Sequence, residues 1–351
     1  MRLITCTSEG KEFLGAWVNG DREVLALATA SLLENPRADS ANYQTLQALI
    51  DGGPRAWDAA RELVARENAG ALMPTSRCRL RTPIQPVQLR DFLSFPEHVK
   101  GCRATLGEWS ISESADPEAK RAQLVASGFF DVPKGYYDYP VYYISNRMAM
   151  VDPGETVQWP EFSGFIDYEL EWAAVIGKEG HKIRESDAAG HIFGYTIFND
   201  WSARDEQMKV MGGPVNLGPG AGKDFANTIG PCVVTADELP DPYSLRMEAR
   251  INGVPSSSGN TASMHYRFEQ LLEYLTRSHA VYPGEVLGSG TVGSGCCLET
   301  RKLISPGDVI ELEIERIGVL RNRVEAPHIA AQGERGFSGA MMQAMRGAIK
   351  A

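Results

Sequence analysis

The sequence has no long apolar run, no basic excess and no zinc-finger cysteine spacing, and each absence removes a class of function. No segment approaches the ~18 consecutive apolar residues of a membrane-spanning helix. The first residues, Met1-Arg2-Leu3-Ile4-Thr5-Cys6, lack the apolar core and small-residue cleavage site of a secretion signal. Lys and Arg number 35 against 45 Asp and Glu, a formal net charge of −10, so the basic surface that nucleic acid or an anionic membrane would want is missing. The six cysteines (Cys6, Cys78, Cys102, Cys232, Cys296, Cys297) contain no CxxC pair. Adjacent Cys296-Cys297 is a poor structural bridge, so free thiols in a cytoplasmic protein are expected. Internal repeats and low-complexity tracts are absent. With 23% charged and 43% hydrophobic residues, wholesale disorder is excluded.

Glycine, by contrast, is plentiful: 35 of 351 residues, against a usual share of about 7%. That excess predicts many tight turns and a β-rich chain. The length allows two domains or one large one, with a core that needs no disulfide or metal staple. Residues 1–80 read as a small separate unit. Leu14 to Asp21 forms a strand entering an Asn19-Gly20 turn, and Leu25–Leu33, Tyr43–Ile50 and Ala56–Ala65 have helical spacing, interrupted at Asp51-Gly52-Gly53-Pro54. Residues 81–325 are mostly strand and turn. Strands are expected at 166–177, 192–200, 232–235, 245–251, 286–290 and 309–317, and helices at 116–126 and 266–278. Residues 326–351 form a Met- and Ala-rich tail, expected to be helical.

Within this frame Glu169-Leu170-Glu171 is the most informative triplet, because residues two apart on a strand point to one face. An isolated Glu-x-Glu is more often a solvated polar face. Asp200, directly ending an apolar strand, gives the pair company, and a cluster of oxygen-only ligands selects Mg²⁺, Mn²⁺ or Ca²⁺ over zinc. Asp91 and His98 lie seven apart, two turns on one face if helical, although Pro96 argues against a regular helix there. The segment Gly218 to Asp224 lacks the phosphate-loop pattern, since Asp224 stands where Ser or Thr would hold magnesium. The Gly288–Gly295 run leads to cysteines and a carboxylate rather than a clear helix, so it is a turn-forming or substrate-facing loop rather than a dinucleotide fingerprint. Cys296 and Cys297, without an attached His motif, read as small buried residues.

Taken together, residues 88–311 resemble the fumarylacetoacetate hydrolase superfamily. The resemblance rests on Arg90-Asp91-Phe92 with His98, Asp167-Tyr168-Glu169-Leu170-Glu171, and Asn199-Asp200-Trp201-Ser202-Ala203-Arg204-Asp205. It continues through Gly222-Lys223-Asp224-Phe225, Asn252-Gly253 with Thr261 and Met264, and Pro283-Gly284-Glu285-Val286. It implies a mixed α/β, mainly β fold: a small N-terminal β-barrel-like domain and a C-terminal β-roll catalytic domain. It also implies a homodimer acting on a small-molecule substrate, with one divalent cation per subunit, Mg²⁺ first and Ca²⁺ or Mn²⁺ as alternatives.

The family's metal ligands fall on Asp91, Glu169, Glu171 and Asp200. Lys223 matches its active-site lysine, and Arg204, Gln207 and Tyr143 match substrate contacts. The water-activating His–Glu pair of the C–C hydrolase falls on His98 and Glu299. Leu93 and Met211 replace two tyrosines of that enzyme, and Asn227 a threonine, which implies a more apolar pocket and a different diketone. The function implied is metal-dependent hydrolysis of a C–C bond in a 1,3-diketone or acylpyruvate, with the cation as Lewis acid, His98 as base, and Lys223, Arg204 and Gln207 holding negative charge. The alternatives are a metal-dependent decarboxylase or hydratase of a 2-oxo acid and a catalytically silent metal-binding oligomer.

Overall fold

Nine consecutive residues from Ile192 to Asp200, rich in β-branched and aromatic side chains, form a strand buried along its whole length. A strand covered on both faces reads as a continuous apolar run rather than an alternation. The computed structural model describes residues 1–37, 39–211 and 217–326. In it, the strand Ile192–Asp200 lies inside an eleven-stranded sheet. On one side it pairs with Leu170–Ile176, which joins Val286–Gly288, Leu89–Phe92 and Tyr142–Ile144 in turn; on the other it pairs with Asn227–Thr235. Strand Asn227–Thr235 then pairs with Arg2–Ser8, so the N-terminal strands continue the same sheet. A five-stranded sheet built around Arg246–Ile251 and Val309–Ile314 packs beside it, and Ile251, Met247 and Leu312 join the shared core. The fold is mixed α/β with sheet dominating.

Turn chemistry explains several connections. Asn252 and Gly253 (φ 52° and 76°) close a two-residue hairpin between Ile251 and Val254, the loop that right-twisted strands favour. Asn19, Gly20 and Asp21 likewise take positive φ between Lys11–Val18 and Glu23–Ala26. The expected helix from Leu25 begins instead at Leu27, because Glu23–Ala26 is drawn into the sheet by pairing with both neighbours. The strand expected at 232–235 extends back to Asn227, where its polar residues pair with the end of Ile192–Asp200. Helices Pro117–Ala126 and Phe268–Leu275 lie within the expected segments. Asp91 and His98 share no helix: Asp91 is on the strand Leu89–Phe92, and His98 is in the first turn of Pro96–Ser112. Pro96 starts that helix, where its missing N–H costs nothing. Among the described residues no helix is long and apolar enough to cross a membrane. The expected C-terminal tail, apart from Ala326, lies outside the described residues.

Candidate active site

Strand pairing gathers the carboxylates. Antiparallel register sets Leu170 against Asn199 and Glu171 against Phe198, which brings Glu169, Glu171 and the strand-end Asp200 to one place. Parallel register sets Gly288 against Asp91. One oxygen each from Asp91, Glu169, Glu171 and Asp200 lies within 4.8 Å of the others, and all four side chains are buried. Backbone closes the cluster: the Gly290 N–H donates to Asp91 Oδ1 at 3.2 Å and Glu171 Oε2 at 3.0 Å, and Thr291 Oγ1 donates to Glu171 Oε1 at 3.2 Å.

Buried carboxylates this close repel one another and lose hydration. Burial, reinforced by the charge of Asp200, pushes Asp91 up to about 8. Burial pushes Asp200 up to about 6 against the pull of Lys223, and burial with the charge of Asp91 drives Glu171 well above the usual carboxylate range. Glu169 moves the other way: burial would raise it, but Lys223 and then Arg204 hold it low. Asp200 Oδ1 is buried without a hydrogen-bond partner. An all-oxygen donor set with one orphaned acceptor fits a hard divalent cation better than zinc.

The close approach of Gly288 to Asp91 is itself a requirement. A Cβ at position 288 would lie 2.4 Å from Asp91 Oδ1 and 2.9 Å from the Phe198 ring. Gly288→Ala is therefore expected to displace Asp91 and weaken Mg²⁺ binding by about tenfold or more, the scale on which disturbed ligand orientation acts; calorimetric titration of the folded variant measures it.

Cationic side chains border the cluster. Lys223 Nζ donates to Glu169 and to Asp200 Oδ2. Arg204 donates from Nε to Asp167 Oδ2 at 2.8 Å and from Nη1 to Gln207 Oε1 at 2.8 Å, and its Nη2 stands 2.9 Å from Glu169 Oε1. Tyr143 donates its hydroxyl to Asp200 Oδ2. Leu93 is half-buried just beyond Phe92. Met211 ends the helix Arg204–Met211 and is 47% exposed, next to residues outside the described set. Asn227 is buried and bonded to Ser145 and to the Asn146 carbonyl.

Beside the carboxylates sits a buried imidazole. His98 Nδ1 is 2.7 Å from Glu299 Oε2, and His98 Nε2 is 4.0 Å from Glu169 Oε1. Burial disfavours the imidazolium, yet the Glu299 charge together with hydrogen bonds to Cys296 and Glu299 overcomes it and lifts His98 well above its ordinary value. Glu299 belongs to the short helix Cys297–Thr300. Asp167 caps that helix, accepting from the Cys297 N–H at 2.7 Å and the Leu298 N–H at 3.0 Å. The Ser294 N–H holds Glu299 Oε1 at 2.8 Å. Gly101 leaves the room: a Cβ there would lie 2.5 Å from Glu299 Oε1. Cys296 and Cys297 are buried thiols that burial pushes well above their ordinary values in the absence of a metal.

The structure thus gathers Asp91, Glu169, Glu171, Asp200, Lys223, Arg204, Gln207, Tyr143, His98 and Glu299 around one centre. Sequence reasoning gave Asp167 no role, although strand alternation places residues 167, 169 and 171 in one phase. It read the Gly288–Gly295 run as a turn-forming or substrate-facing loop without giving Gly290 or Thr291 a carboxylate to hold, and it missed Gly101, for which no spacing signal exists.

The family model described as "Fumarylacetoacetate (FAA) hydrolase C-terminal" matches residues 110–325. The chain is 36% identical over 188 residues to the human mitochondrial oxaloacetate tautomerase FAHD2A, covering 53% of this chain and 59% of that protein. It therefore spans under two thirds of the length of that curated relative. Among solved structures, a probable 2-hydroxyhepta-2,4-diene-1,7-dioate isomerase from Mycobacterium abscessus superposes with a TM-score of 0.65 at 24% identity, covering 93% of this chain and 99% of that one. A fumarylacetoacetate hydrolase from Exiguobacterium antarcticum superposes with a TM-score of 0.67 at 22% identity and the same coverage. At these identities the two structures speak for the fold alone.

Proposed function

Because the chain belongs to the fumarylacetoacetate hydrolase family, we propose that it is a divalent-metal-dependent enzyme that adds water across a C–C bond of an acylpyruvate or related 1,3-diketone. The observation that carries this reading is the buried His98–Glu299 pair set against four clustered carboxylates. A divalent cation held by Asp91, Glu169, Glu171 and Asp200 would act as a Lewis acid toward the dicarbonyl oxygens. Glu299 fixes the imidazole through Nδ1, which leaves Nε2 as the atom that takes a proton from water. The hydroxide adds to the carbonyl carbon, the C–C bond breaks, and the departing carbon recovers its proton from the imidazolium. Lys223 and Arg204, both buried, place positive charge where negative charge develops in a site with little water.

A second reading, tautomerisation of oxaloacetate, is favoured by the 36% identity to the human tautomerase. It would use the same base to move one proton between carbon and enol oxygen, with no water added. A panel of acylpyruvates and oxaloacetate, followed by absorbance and product analysis with and without EDTA, separates the two. Loss of diketone absorbance with pyruvate and a second acid formed in equal amounts supports hydrolysis. Faster relaxation of the oxaloacetate enol without pyruvate supports tautomerisation. Turnover indifferent to chelation rejects both.

A further inference from the structure

We propose a second cation site of a different chemical kind, formed by His98, Cys102, Cys296 and Glu299 and suited to Zn²⁺ or a similar thiophilic divalent ion. One ligand atom from each lies within 4.8 Å of the others. His98 and Cys102 are four apart on the helix Pro96–Ser112 and share a face, with Cys102 Sγ 3.7 Å from His98 Nε2 and 3.8 Å from Nδ1. Cys296 and Glu299 come from the start of the helix Cys297–Thr300, with Cys296 Sγ 3.3 Å from Glu299 Oε2.

Donor atoms tetrahedral about zinc, at about 2.0–2.3 Å from it, stand roughly 3.3–3.8 Å from one another. The Cys102–His98 and Cys296–Glu299 contacts already match that spacing. The 2.7 Å His98–Glu299 bond must open by somewhat over half an ångström, and the remaining pairs, all within 4.8 Å, close onto the ion. Sulfur and imidazole ligands set this cluster apart from its all-oxygen neighbour, so Mg²⁺ has no preference for it and zinc does. Two thiolates and a carboxylate would bring three negative charges. A divalent cation offsets two of them, and the Arg204 guanidinium, shared with Asp167 and Glu169, adds a field that reaches both sulfurs.

Four protein ligands close the coordination sphere, the arrangement of a non-catalytic zinc site. Occupation would take the His98 lone pair, so zinc would switch off proton transfer while leaving the carboxylates to Mg²⁺. Binding stands on the geometry alone; inhibition rests on the reading of His98 as base.

The test uses the full chain saturated with Mg²⁺ and titrated with Co²⁺ alone. A near-ultraviolet sulfur-to-cobalt band that Zn²⁺ bleaches is expected. Cys102→Ser should lose most of that band and bind Zn²⁺ about tenfold or more weakly. It should keep the Mg²⁺-induced rise in melting temperature and its activity without zinc. Cys78→Ser, altered well away from the cluster, should keep the band. In the unsubstituted chain Zn²⁺ should protect Cys102 from iodoacetamide, a measurement that needs no variant. Absence of the band, or a band undiminished in a folded Cys102→Ser protein, overturns the site. A band with unchanged turnover upholds the site and counts against His98 as base.

Discussion

Replacing Glu171 by Gln is expected to lower turnover by well over about 10²-fold, because even outer partners of metal ligands are worth 10–100-fold in metal affinity or activity, while leaving the fold intact. Glu171 is fully buried, and its ionised form is opposed by burial and by the charge of Asp91. Without a cation, that carboxylate is therefore a liability to the folded state. Gln has nearly the same shape, can still accept from the Gly290 N–H or Thr291 hydroxyl, and can donate to Asp91. The metal-free variant should melt at the same temperature as the parent or higher. Mg²⁺, which stabilises a protein by binding only its folded form, should raise the melting temperature of the parent and hardly that of the variant. Paired melting curves with and without Mg²⁺, beside turnover, measure both effects. Full activity in Glu171→Gln would remove Glu171 from the proposed ligand set.

The carboxylate cluster was largely legible in the sequence because it depends on local rules. Glu169 and Glu171 share a strand face by alternation, and Asp200 ends a run of apolar residues that had to be a strand. The approach of Asp91 was not legible in the same way. It depends on parallel pairing between Leu89–Phe92 and Val286–Gly288, nearly two hundred residues apart, and no periodicity encodes that register. The glycine excess predicted turns, but its sharpest use lies elsewhere. Gly288 and Gly101 omit a Cβ that would collide with Asp91 and Glu299. The His98–Glu299 contact is harder still to read from spacing. It requires Pro96 to start one helix and Asp167 to cap another, so that two helical ends 201 residues apart meet. The motif resemblance supplied that pair, whereas residue spacing offered Asp91 and His98 a shared face only if the segment were helical, a condition that Pro96 argued against and the chain does not meet.

His98→Ala should cost on the order of 10²–10⁴ in turnover if the imidazole is the general base. Loss of rate alone would not separate a base from a packing residue, because His98 is buried and its removal leaves Glu299 unpaired. Glu299→Gln makes that distinction. In the parent, burial favours the neutral ring, but the Glu299 carboxylate, with a smaller contribution from Cys296, overcomes it and raises the imidazole's pKa. The neutral ring needed for proton abstraction therefore accumulates only as pH rises through that elevated value, giving activity an acid limb displaced toward high pH. An amide at position 299 removes the charge, so the ring releases its proton at lower pH and the limb should move downward. The plateau should fall as well, because an amide holds Nδ1 less firmly than a carboxylate does. A pH–rate profile of the folded variant, with Mg²⁺ binding shown to be unchanged, reads both effects. A fall in plateau with the limb unmoved would make Glu299 a packing partner and leave the base elsewhere. A limb that shifts downward ties the titrating group to His98 and makes Glu299 the residue that positions and tunes it.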